Sequence, residues 1–452
     1  MLAGDVTAVR LPAADGMRPG ACRGRHRRWV PPVRPDDGVA TYYLAINRNK
    51  RSVVLDLTDP GDLALARELA ARADVLVENF MPGALGRFGL DYDTVAAANP
   101  RVVYSSISGF GTAAGASLPG YDLIVQAISG LMSLTGDPDG PAYRAGISVV
   151  DVLAGLHSAI GILAALHQRA VTGRGQHVEA SLLASALSGL VNQTSAYVAG
   201  GVVPTRMGNA HLSLFPYEPL PTADGDLVVT SGNDVQFRKL CEVLGAAELA
   251  ADPRFATNAD RTARREELRP LLVERLARRT SAEWFQALNA VGVPSGPINT
   301  VAGGVEYAEK LGLEPVVRVG RGAGAVGGVR HPLSFSAAAP SYDRPPPALD
   351  QDGDEVRAWL AAPRGALLPG RDTARSGEQD YDALGEHAIG ERRAAGALVP
   401  GLGHPVHKLE DPRTPALYAI AEAEGLRGPH LELFEAVGRV APRVLGPEPQ
   451  SR

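Results

Sequence analysis

The amino-acid sequence predicts an α/β protein with a mostly parallel sheet. In the first 200 residues, short β-branched or apolar runs alternate with helical patterns of roughly ten residues, which is the alternation of βαβ units. The chain has 452 residues, of which 45% are apolar. It is therefore long enough for two or three domains, each with a core of its own.

The strands of the first half are β-branched or apolar runs bounded by turn residues. Val53, Val54 and Leu55 form such a run, and the cluster at 58–61 that follows is typical of a turn and a helix start. The predicted strands lie at 6–11, 52–57, 75–77, 101–105 and 177–180.

The helices of this half are predicted at 63–73, 120–134, 152–169 and 182–199. Asp151 stands at the N-cap position of the third helix, and the glycines of 172–175 end it. This helix carries an apolar stripe at three-to-four spacing: Leu153, Leu156, Ile160, Leu163 and Leu166.

A second unit begins at Asp226, with a strand at 227–230 and helices at 235–244, 261–277 and 282–290. The prolines of 336–352 indicate an extended return segment, which a short helix at 354–361 follows. The predicted domains are a large domain at 1–200, a small domain at 201–335, a return segment at 336–364, and a linker with a C-terminal fragment at 365–452.

The composition argues against several classes of protein. A formal charge of −5 and a pI near 6.1 do not favour nucleic-acid binding. Cys22 and Cys241 are the two cysteines, too few for a disulfide framework or a thiolate zinc site, and the ten histidines are scattered. We find no run of ~18 apolar residues for a membrane span. The sequence predicts a soluble, cytoplasmic protein without a metal site.

Asp151 is the carboxylate with the most chemical interest. An aspartate that opens a helix most often caps it. Alternatively, a carboxylate flanked by Val149, Val150 and Val152 is desolvated and can attack an activated acyl group, giving a mixed anhydride. The helix N-terminus would keep the carboxylate ionised. These two interpretations stay open at the level of the residues alone.

Two loops follow predicted strands, where α/β proteins bind ligands. Asn79 and Phe80 follow strand 75–77; Phe80 could pack on a flat ring and Arg87 could reach a phosphate. An ordinary loop with a core phenylalanine is the alternative. The glycine pair Gly109 and Gly111 lacks the third glycine of a dinucleotide fingerprint and is a weak nucleotide motif.

Further short motifs run in order along the chain. They are Asn47-Arg48-Asn49-Lys50-Arg51-Ser52, Glu78-Asn79-Phe80-Met81-Pro82-Gly83, Ser108-Gly109-Phe110-Gly111, Pro119-Gly120-Tyr121-Asp122, Thr172-Gly173-Arg174-Gly175-Gln176, Asp252-Pro253-Arg254-Phe255 and Gly292-Val293-Pro294-Ser295-Gly296-Pro297. Together, over about residues 5–362, the sequence resembles the class III coenzyme A (CoA) transferases.

The resemblance implies a Rossmann-like large domain, a smaller α+β domain, and a homodimer of two interlocked protomers. By this resemblance, Asp151 is the catalytic aspartate and Tyr121 an active-site neighbour. The CoA-binding positions are Leu55, Asn79, Phe80 and Arg87. The implied substrates are an acyl-CoA and a carboxylic acid, and the implied reaction proceeds through aspartyl anhydride and thioester intermediates without any cofactor.

Two other functions remain as alternatives. The same superfamily contains α-methylacyl-CoA racemases, which need two bases; a histidine precedes the aspartate there, where this chain has Tyr121. A tyrosine with an ordinary pKa of about 10 is a poor base near neutral pH, so a transferase is preferred. A catalytically inactive, transferase-derived protein is the second alternative.

Three further features bear on function. The chain starts close to what resembles the family's second strand, so we expect an N-terminal truncation. A glycine-rich loop of the formyl-CoA transferases is absent after Pro216, which argues against formate or oxalate as substrate. Residues 399–413, with His404 and Arg413, resemble part of citrate synthase or citryl-CoA lyase, and we interpret this fragment as the remnant of a gene fusion. It favours a small di- or hydroxy-dicarboxylate as acceptor and succinyl-CoA or a similar thioester as donor.

Overall fold

The computed structural model describes residues 6–10, 32–34, 38–337 and 339–363. The predicted linker and C-terminal fragment, with His404 and Arg413, lie outside these residues. The elements of the first half are β1 Val6–Arg10, α1 Thr41–Ile46, β2 Lys50–Val54, α2 Pro60–Arg72, β3 Val75–Glu78, α3 Tyr92–Ala98, β4 Val103–Ser108, α4 Asp122–Ile128, α5 Leu131–Leu134, α6 Val149–Thr172, β5 His177–Ser181, α7 Leu182–Gly189 and α8 Asn192–Gly200.

The second half contains shorter elements. They are β6 Tyr217–Pro221, β7 Asp226–Thr230, α9 Asp234–Val243, α10 Ala247–Ala251, α11 Asn258–Ala263, α12 Arg265–Leu276, α13 Ser281–Ala290, β8 Ser295–Pro297, α14 Val301–Lys310, β9 Val316–Val319, β10 Val326–Val329 and α15 Gly353–Ala361.

The sheet of the first half is parallel, as predicted. β4 lies between β3 and β5, and β1 pairs with β2 in a second parallel ladder. The register places Glu78 opposite Ser106, and Ser108 opposite Ser181. All three strands therefore end at one edge, which is where parallel sheets place their ligands. With the helices between the strands, this confirms the α/β fold class.

Small side chains attach α6 to this sheet. Ala154, Ser158 and Ala165 are buried, and the Ser158 hydroxyl lies 2.8 Å from the hydroxyl of Ser105 on β4. A Cβ on Gly161 would lie 2.6 Å from a methyl carbon of Val178 on β5. The small residues thus let the helix backbone approach the strands closely.

The apolar stripe recognised in the sequence lies mostly on the opposite face of α6. Leu156, Ile160 and Leu163 are 56%, 64% and 65% exposed. An apolar face turned to solvent is the reverse of the usual amphipathic arrangement. By length and composition alone, α6 could also cross a membrane, although the sequence predicted no such run.

Three predicted helices are each interrupted. Helix 120–134 is divided into α4 and α5 at Gly130, whose φ of 93° cannot continue a right-handed helix. Helix 182–199 is divided at Val191, with φ 42°. Helix 261–277 is replaced by α11 and α12, which meet at Arg264. In each case a local change of backbone conformation ends one helix and reorients the next.

A separate hydrophobic core lies within residues 215–293. The strands β6, β7 and β8 are antiparallel, and α9, α12 and α13 contribute to the same core. Phe237, Leu272 and Trp284 are almost completely buried there. The same core holds Cys241, and burial raises the pKa of its thiol to about 12. A thiol with that pKa stays protonated at neutral pH and is a poor nucleophile.

The segment after β10 returns to the first half. The Ser52 amide donates to the Asp352 carboxylate at 2.8 Å. Arg72 at the end of α2 donates to the carbonyl oxygens of Trp359, Leu360 and Ala362. α15 thus shares a core with β2 and α2. The domain boundaries stated above stay predictions.

Candidate active site

Asp151 lies inside α6 rather than ahead of it. The helix begins at Val149 and Ser148 is its N-cap, so the prediction that Asp151 caps the helix is wrong. The physical reason is a cap from elsewhere in the chain, described below, which lets the helix begin three residues earlier than predicted. Asp151 is the third helical residue, and its side chain is exposed.

The cap of α6 comes from Asp122 on α4. One oxygen of the Asp122 carboxylate, Oδ1, accepts hydrogen bonds from the backbone N–H of Val150 at 2.9 Å and of Asp151 at 3.3 Å. Ser148 makes no side-chain cap bond of its own. The amide groups that a helix N-terminus leaves unsatisfied are therefore occupied by a side chain from a neighbouring helix.

Gln126, one turn further along α4, holds both Asp122 and the approach to α6. Its amide nitrogen donates to Asp122 Oδ2 at 2.5 Å and to the carbonyl oxygen of Ile147 at 3.3 Å. Its amide oxygen accepts from the N–H of Ala145 at 2.9 Å. Gln126 is 0% exposed, so the central residue of this network is shielded from water.

The surroundings of Asp151 disfavour its charged form. Burial of part of the side chain raises the pKa of the Asp151 carboxyl, and the nearby Asp122 carboxylate raises it further. The sequence-based expectation that the helix N-terminus keeps Asp151 ionised is therefore opposed by two effects. Because Asp122 already takes the amides of Val150 and Asp151, these donors are not left for the Asp151 carboxylate.

Two glycines place α4 against the sheet edge. A Cβ on Gly109, just after β4, would lie 2.5 Å from the Cα of Gly120, just before α4. Side chains cannot fit between backbones this close, which gives the Gly109-Phe110-Gly111 motif a packing role. The contact brings Tyr121 and Asp122 to the end of β4.

Tyr121 precedes Asp122 and is the N-cap residue of α4. Its side chain is 69% exposed, and its carbonyl oxygen accepts the first helical bond, from Val125. Asp122 joins the first turn of α6 to this segment, so the structure brings Tyr121 into the neighbourhood of Asp151.

The predicted CoA-binding residues divide into exposed and buried ones. Asn79, Phe80 and Arg87 are exposed and follow β3, at the same sheet edge where β4 leads to Gly109. The guanidinium of Arg87 lies 4.6 Å from the ring centroid of Phe88. Leu55 is 0% exposed and belongs to the core beside β2, so its side chain is not available to a ligand.

Three basic residues were considered in the sequence as partners for a second carboxylate of the substrate: Arg144, Arg206 and His211. Arg206 donates to the carbonyl oxygen of Asp137, and Arg144 is exposed. His211 lies beside the ring of Tyr217, with centroids 4.9 Å apart. None of the contacts described for these residues joins them to Asp151.

A cavity of about 410 Å³ lies next to Arg206. Its lining is Leu134, Thr135, Gly136, Asp137, Tyr143, Gly208 and Asn209. In the part of the chain that the structure describes, no group of three His, Cys, Asp or Glu residues could hold a metal ion.

Sequence reasoning missed Asp122 and Gln126. Asp122 was part of the quoted motif at 119–122, but no signal in the sequence shows that its side chain reaches a helix that begins 27 residues later. Such a capping partner becomes visible only when both helices are placed.

Comparisons with known proteins identify the family of the chain. The family model described as CoA-transferase family III matches residues 19–353. A succinate–glutarate CoA-transferase of Agrobacterium fabrum is 40% identical over 348 residues, which cover 74% of this chain and 85% of that protein. An acetyl-CoA:oxalate CoA-transferase of Acetobacter aceti is 39% identical over 325 residues, 71% of this chain and 82% of that protein.

The fold has solved counterparts as well. A crystal structure of a CAIB/BAIF family protein from Brucella suis matches with a TM-score of 0.68 and 40% identity, covering 79% of this chain and 92% of that one. The family match spans most of the chain, and the relatives compared are named CoA-transferases. The chain therefore belongs to CoA-transferase family III and is a CoA-transferase.

Proposed function

We propose that the protein moves CoA from an acyl-CoA donor to a small carboxylic acid, with Asp151 as the covalent nucleophile. The observation that carries the proposal is the exposed Asp151 carboxylate in the first turn of α6, whose amides Asp122 occupies. A carboxylate that lacks these donors and carries a raised pKa is a better nucleophile than an ordinary surface aspartate.

The proposed reaction has four covalent steps. A carboxylate oxygen of Asp151 attacks the donor thioester carbon; the C–S bond breaks, and a mixed anhydride and the CoA thiolate result. The thiolate then attacks the aspartyl carbonyl carbon, releasing the donor acid and leaving a thioester between Asp151 and CoA. The acceptor carboxylate attacks this thioester, again giving an anhydride and free thiolate. Attack of the thiolate on the acceptor acyl carbon regenerates Asp151. No electron is gained or lost, so the proposal includes no cofactor.

The CoA moiety is assigned to the edge of the parallel sheet. Arg87 carries the charge for a phosphate, and Phe80 offers a ring face to the adenine. Asn79 lies beside them and can hydrogen bond to the ligand. Leu55 can contribute only through its backbone, because its side chain is buried. Tyr121 directly precedes Asp122, the residue that caps α6, and this supports its proposed place as an active-site neighbour.

The acids are proposed to be dicarboxylates. The relative from Agrobacterium fabrum is named for succinate and glutarate, in agreement with the sequence-based choice of a di- or hydroxy-dicarboxylate with succinyl-CoA as donor. The relative from Acetobacter aceti is named for acetyl-CoA and oxalate, which weakens the argument against oxalate drawn from the missing glycine loop. Oxalate and acetyl-CoA therefore belong in the same substrate panel.

The proposed assembly is a homodimer. Leu156, Ile160 and Leu163 present a continuous apolar face to solvent, and a second copy of the chain that covers it would remove this area from water. The resemblance to the family provides the interlocked arrangement, and the exposed face supports association without fixing its geometry.

The nucleophile is tested with Asp151→Ala and Asp151→Asn. Both variants should fold as wild type and lose at least about a thousand-fold in turnover, since the covalent route is removed. Hydroxylamine added during turnover should label Asp151 and no other carboxylate. Asp354→Asn, which changes another exposed aspartate in the first turn of a helix, should retain full activity.

An Asp151→Asn variant that turns over at the wild-type rate without slow deamidation would contradict the assignment. A wild-type protein that transfers CoA to no acid, with either donor, would favour the inactive alternative. The racemase alternative predicts exchange of the α-proton of a 2-methylacyl-CoA, and the tyrosine at position 121 argues against it.

A further inference from the structure

The first turn of α6 is held by a side chain that belongs to another helix. Helix starts attract carboxylates because their first amides have no partner within the helix. Here the amides of Val150 and Asp151 point to the Asp122 carboxylate. The carboxylate of Asp151, although it stands in the same turn, does not receive them.

The position of Asp122 is itself fixed. Gln126 donates to its second oxygen, and the same amide group holds Ile147 and Ala145 of the loop that leads to α6. Because Gln126 is fully buried, Asp122 cannot rotate away without breaking this network. A carboxylate in this place is thus built into the approach to Asp151.

We propose that Asp122 is a positioning residue for CoA transfer: it holds the first turn of α6, keeps the helix amides away from the Asp151 carboxylate, and places a second negative charge beside it. This inference rests on the proposed function, in which Asp151 is the nucleophile. It assigns to Asp122 a role that acts through Asp151 and involves no contact with the substrate.

The charge explains why such an arrangement favours the reaction. When the Asp151 carboxylate attacks a thioester, its negative charge moves to the oxygen of the thioester and leaves with the CoA thiolate. The anhydride and the enzyme thioester are both neutral at Asp151. Repulsion from Asp122 is therefore present in the free enzyme and is relieved when the first anhydride forms, which lowers the barrier of that first step.

The other groups near the first turn of α6 act less directly. His157 lies further along α6 and is paired with the hydroxyl of Ser185 on α7, 3.1 Å away. Tyr121 precedes Asp122 at the start of α4. Among the residues the structure describes, Asp122 is the charged group that acts on the Asp151 carboxyl, and it favours protonation.

The test compares Asp122→Asn and Asp122→Ala with wild type in the full-length protein. The readout is the pH dependence of kcat/KM for succinyl-CoA or whichever donor of the panel is used. The asparagine oxygen can still accept the two amides, whereas its amide nitrogen cannot accept from Gln126. Because the asparagine carries no charge, the acid limb should move to lower pH. The alanine also frees the first turn of α6, and its kcat should fall by about 100-fold, the cost of a displacement near 1 Å.

Three readouts separate positioning from a merely structural role. KM for the CoA donor should change little in Asp122→Asn, and its melting temperature should fall less than that of Asp122→Ala, since only the bond from Gln126 is lost. The CoA phosphate titrates in the same pH range but is common to all variants, and Asp354→Asn serves as the carboxylate control. An acid limb unchanged in Asp122→Asn overturns the proposal, even where Asp122→Ala is inactive through poor folding.

The two proposals fail in different ways. A wrong nucleophile assignment shows as transfer activity in Asp151→Ala. A wrong role for Asp122 shows as an unaltered pH profile of Asp122→Asn in an enzyme that Asp151→Ala inactivates.

Discussion

Two hydrophobic cores differ in how completely this chain buries their apolar side chains. One lies within residues 215–293, and the other lies around α6. In the first, large side chains such as Phe237 and Leu272 are buried on every side. In the second, the five buried residues include Ala154 and Ala186 and no aromatic side chain, whereas long apolar side chains of α6 face solvent. The large side chains of the first region are therefore buried without a contribution from a second molecule. The second, which carries Asp151, leaves an apolar face of α6 exposed in a single chain, and the proposed second copy would cover this face.

The sharpest way to break this comparison is a charge on the outward face of α6. Ile160→Asp should convert a dimer into monomers, because an aspartate carboxylate cannot be buried against an apolar partner surface without a counter-charge. Sedimentation velocity measures the change. Val301→Asp, at the start of α14 and 88% exposed, is the matched control and should leave the assembly unchanged. Wild-type monomers at all concentrations would refute the comparison.

A substitution in the core of 215–293 should lower the free energy of unfolding and leave the assembly unchanged. Leu272→Ala should reduce the free energy of unfolding by about 2–5 kcal/mol, since it opens a cavity in a region that cannot collapse. Its neighbour Leu271 is 36% exposed, and Leu271→Ala should cost much less. Urea unfolding of both variants gives the difference. Equal losses for the two leucines would show that this core is not closed.

CoA binding at the sheet edge should depend on the exposed residues there and not on the packing of either core. Arg87→Ala should raise KM for the acyl-CoA donor by roughly 10- to 150-fold, which corresponds to the loss of a charge-assisted phosphate contact of about 1.5–3 kcal/mol. Turnover at saturation should change little. Arg238→Ala on α9, an exposed arginine of the other core, is the control. An unchanged KM would remove Arg87 from the CoA site.

The backbone contact between Gly109 and Gly120 should be nearly as sensitive. Gly109→Ala places a Cβ 2.5 Å from the Gly120 Cα, so the two segments must separate, at a cost of about 1–3 kcal/mol. Thermal unfolding and transfer rate should both decline, because Tyr121 and Asp122 move with Gly120. Gly304→Ala on α14 has open space around the new methyl group and should be neutral or stabilising. A fully active, stable Gly109→Ala would show that the contact can relax.

The smallest expected effect is on the pH dependence of the free energy of unfolding, to which the Asp151 carboxyl contributes. Its folded-state pKa is raised, so the folded protein binds more protons than the unfolded chain between the two pKa values. Stability should therefore fall as pH rises through this window, and the loss should persist at neutral pH. Asp151→Asn removes this dependence and should be slightly more stable than wild type at neutral pH, but not at low pH. Unfolding midpoints across the acid range measure it, with Asp354→Asn as control.

Much of the fold could be predicted from local patterns, and the exceptions have physical causes. Strands such as 75–77 stand out because β-branched runs between turn residues have few alternatives. Short elements such as α1, α14, β9 and β10 were missed, since their composition is mixed and tertiary contacts decide them. The breaks at Gly130 and Val191 depend on single backbone conformations that periodicity does not detect.

The candidate site shows the same division. Residue type and resemblance led to the predictions for Asp151 and for the loop after β3, and the structure shows that both are exposed. The prediction that Asp151 caps its helix failed because the actual cap, Asp122, lies on another helix. The leucines of α6 also gave the wrong inward face. The helix lies so close to the sheet that only small residues fit between them, and most of the long side chains point to solvent.

Because α15 returns to β2 and α2, the core of 215–293 is an insertion in the first-half fold, called the host here, and does not simply follow it along the chain. Both ends of the inserted segment lead back to the same host. A single cut in either connection would thus leave the pieces joined through the rest of the chain and through the Arg72 and Asp352 contacts. Substitutions confined to the inserted core can therefore change its packing while the contacts that join α15 to β2 and α2 stay in place.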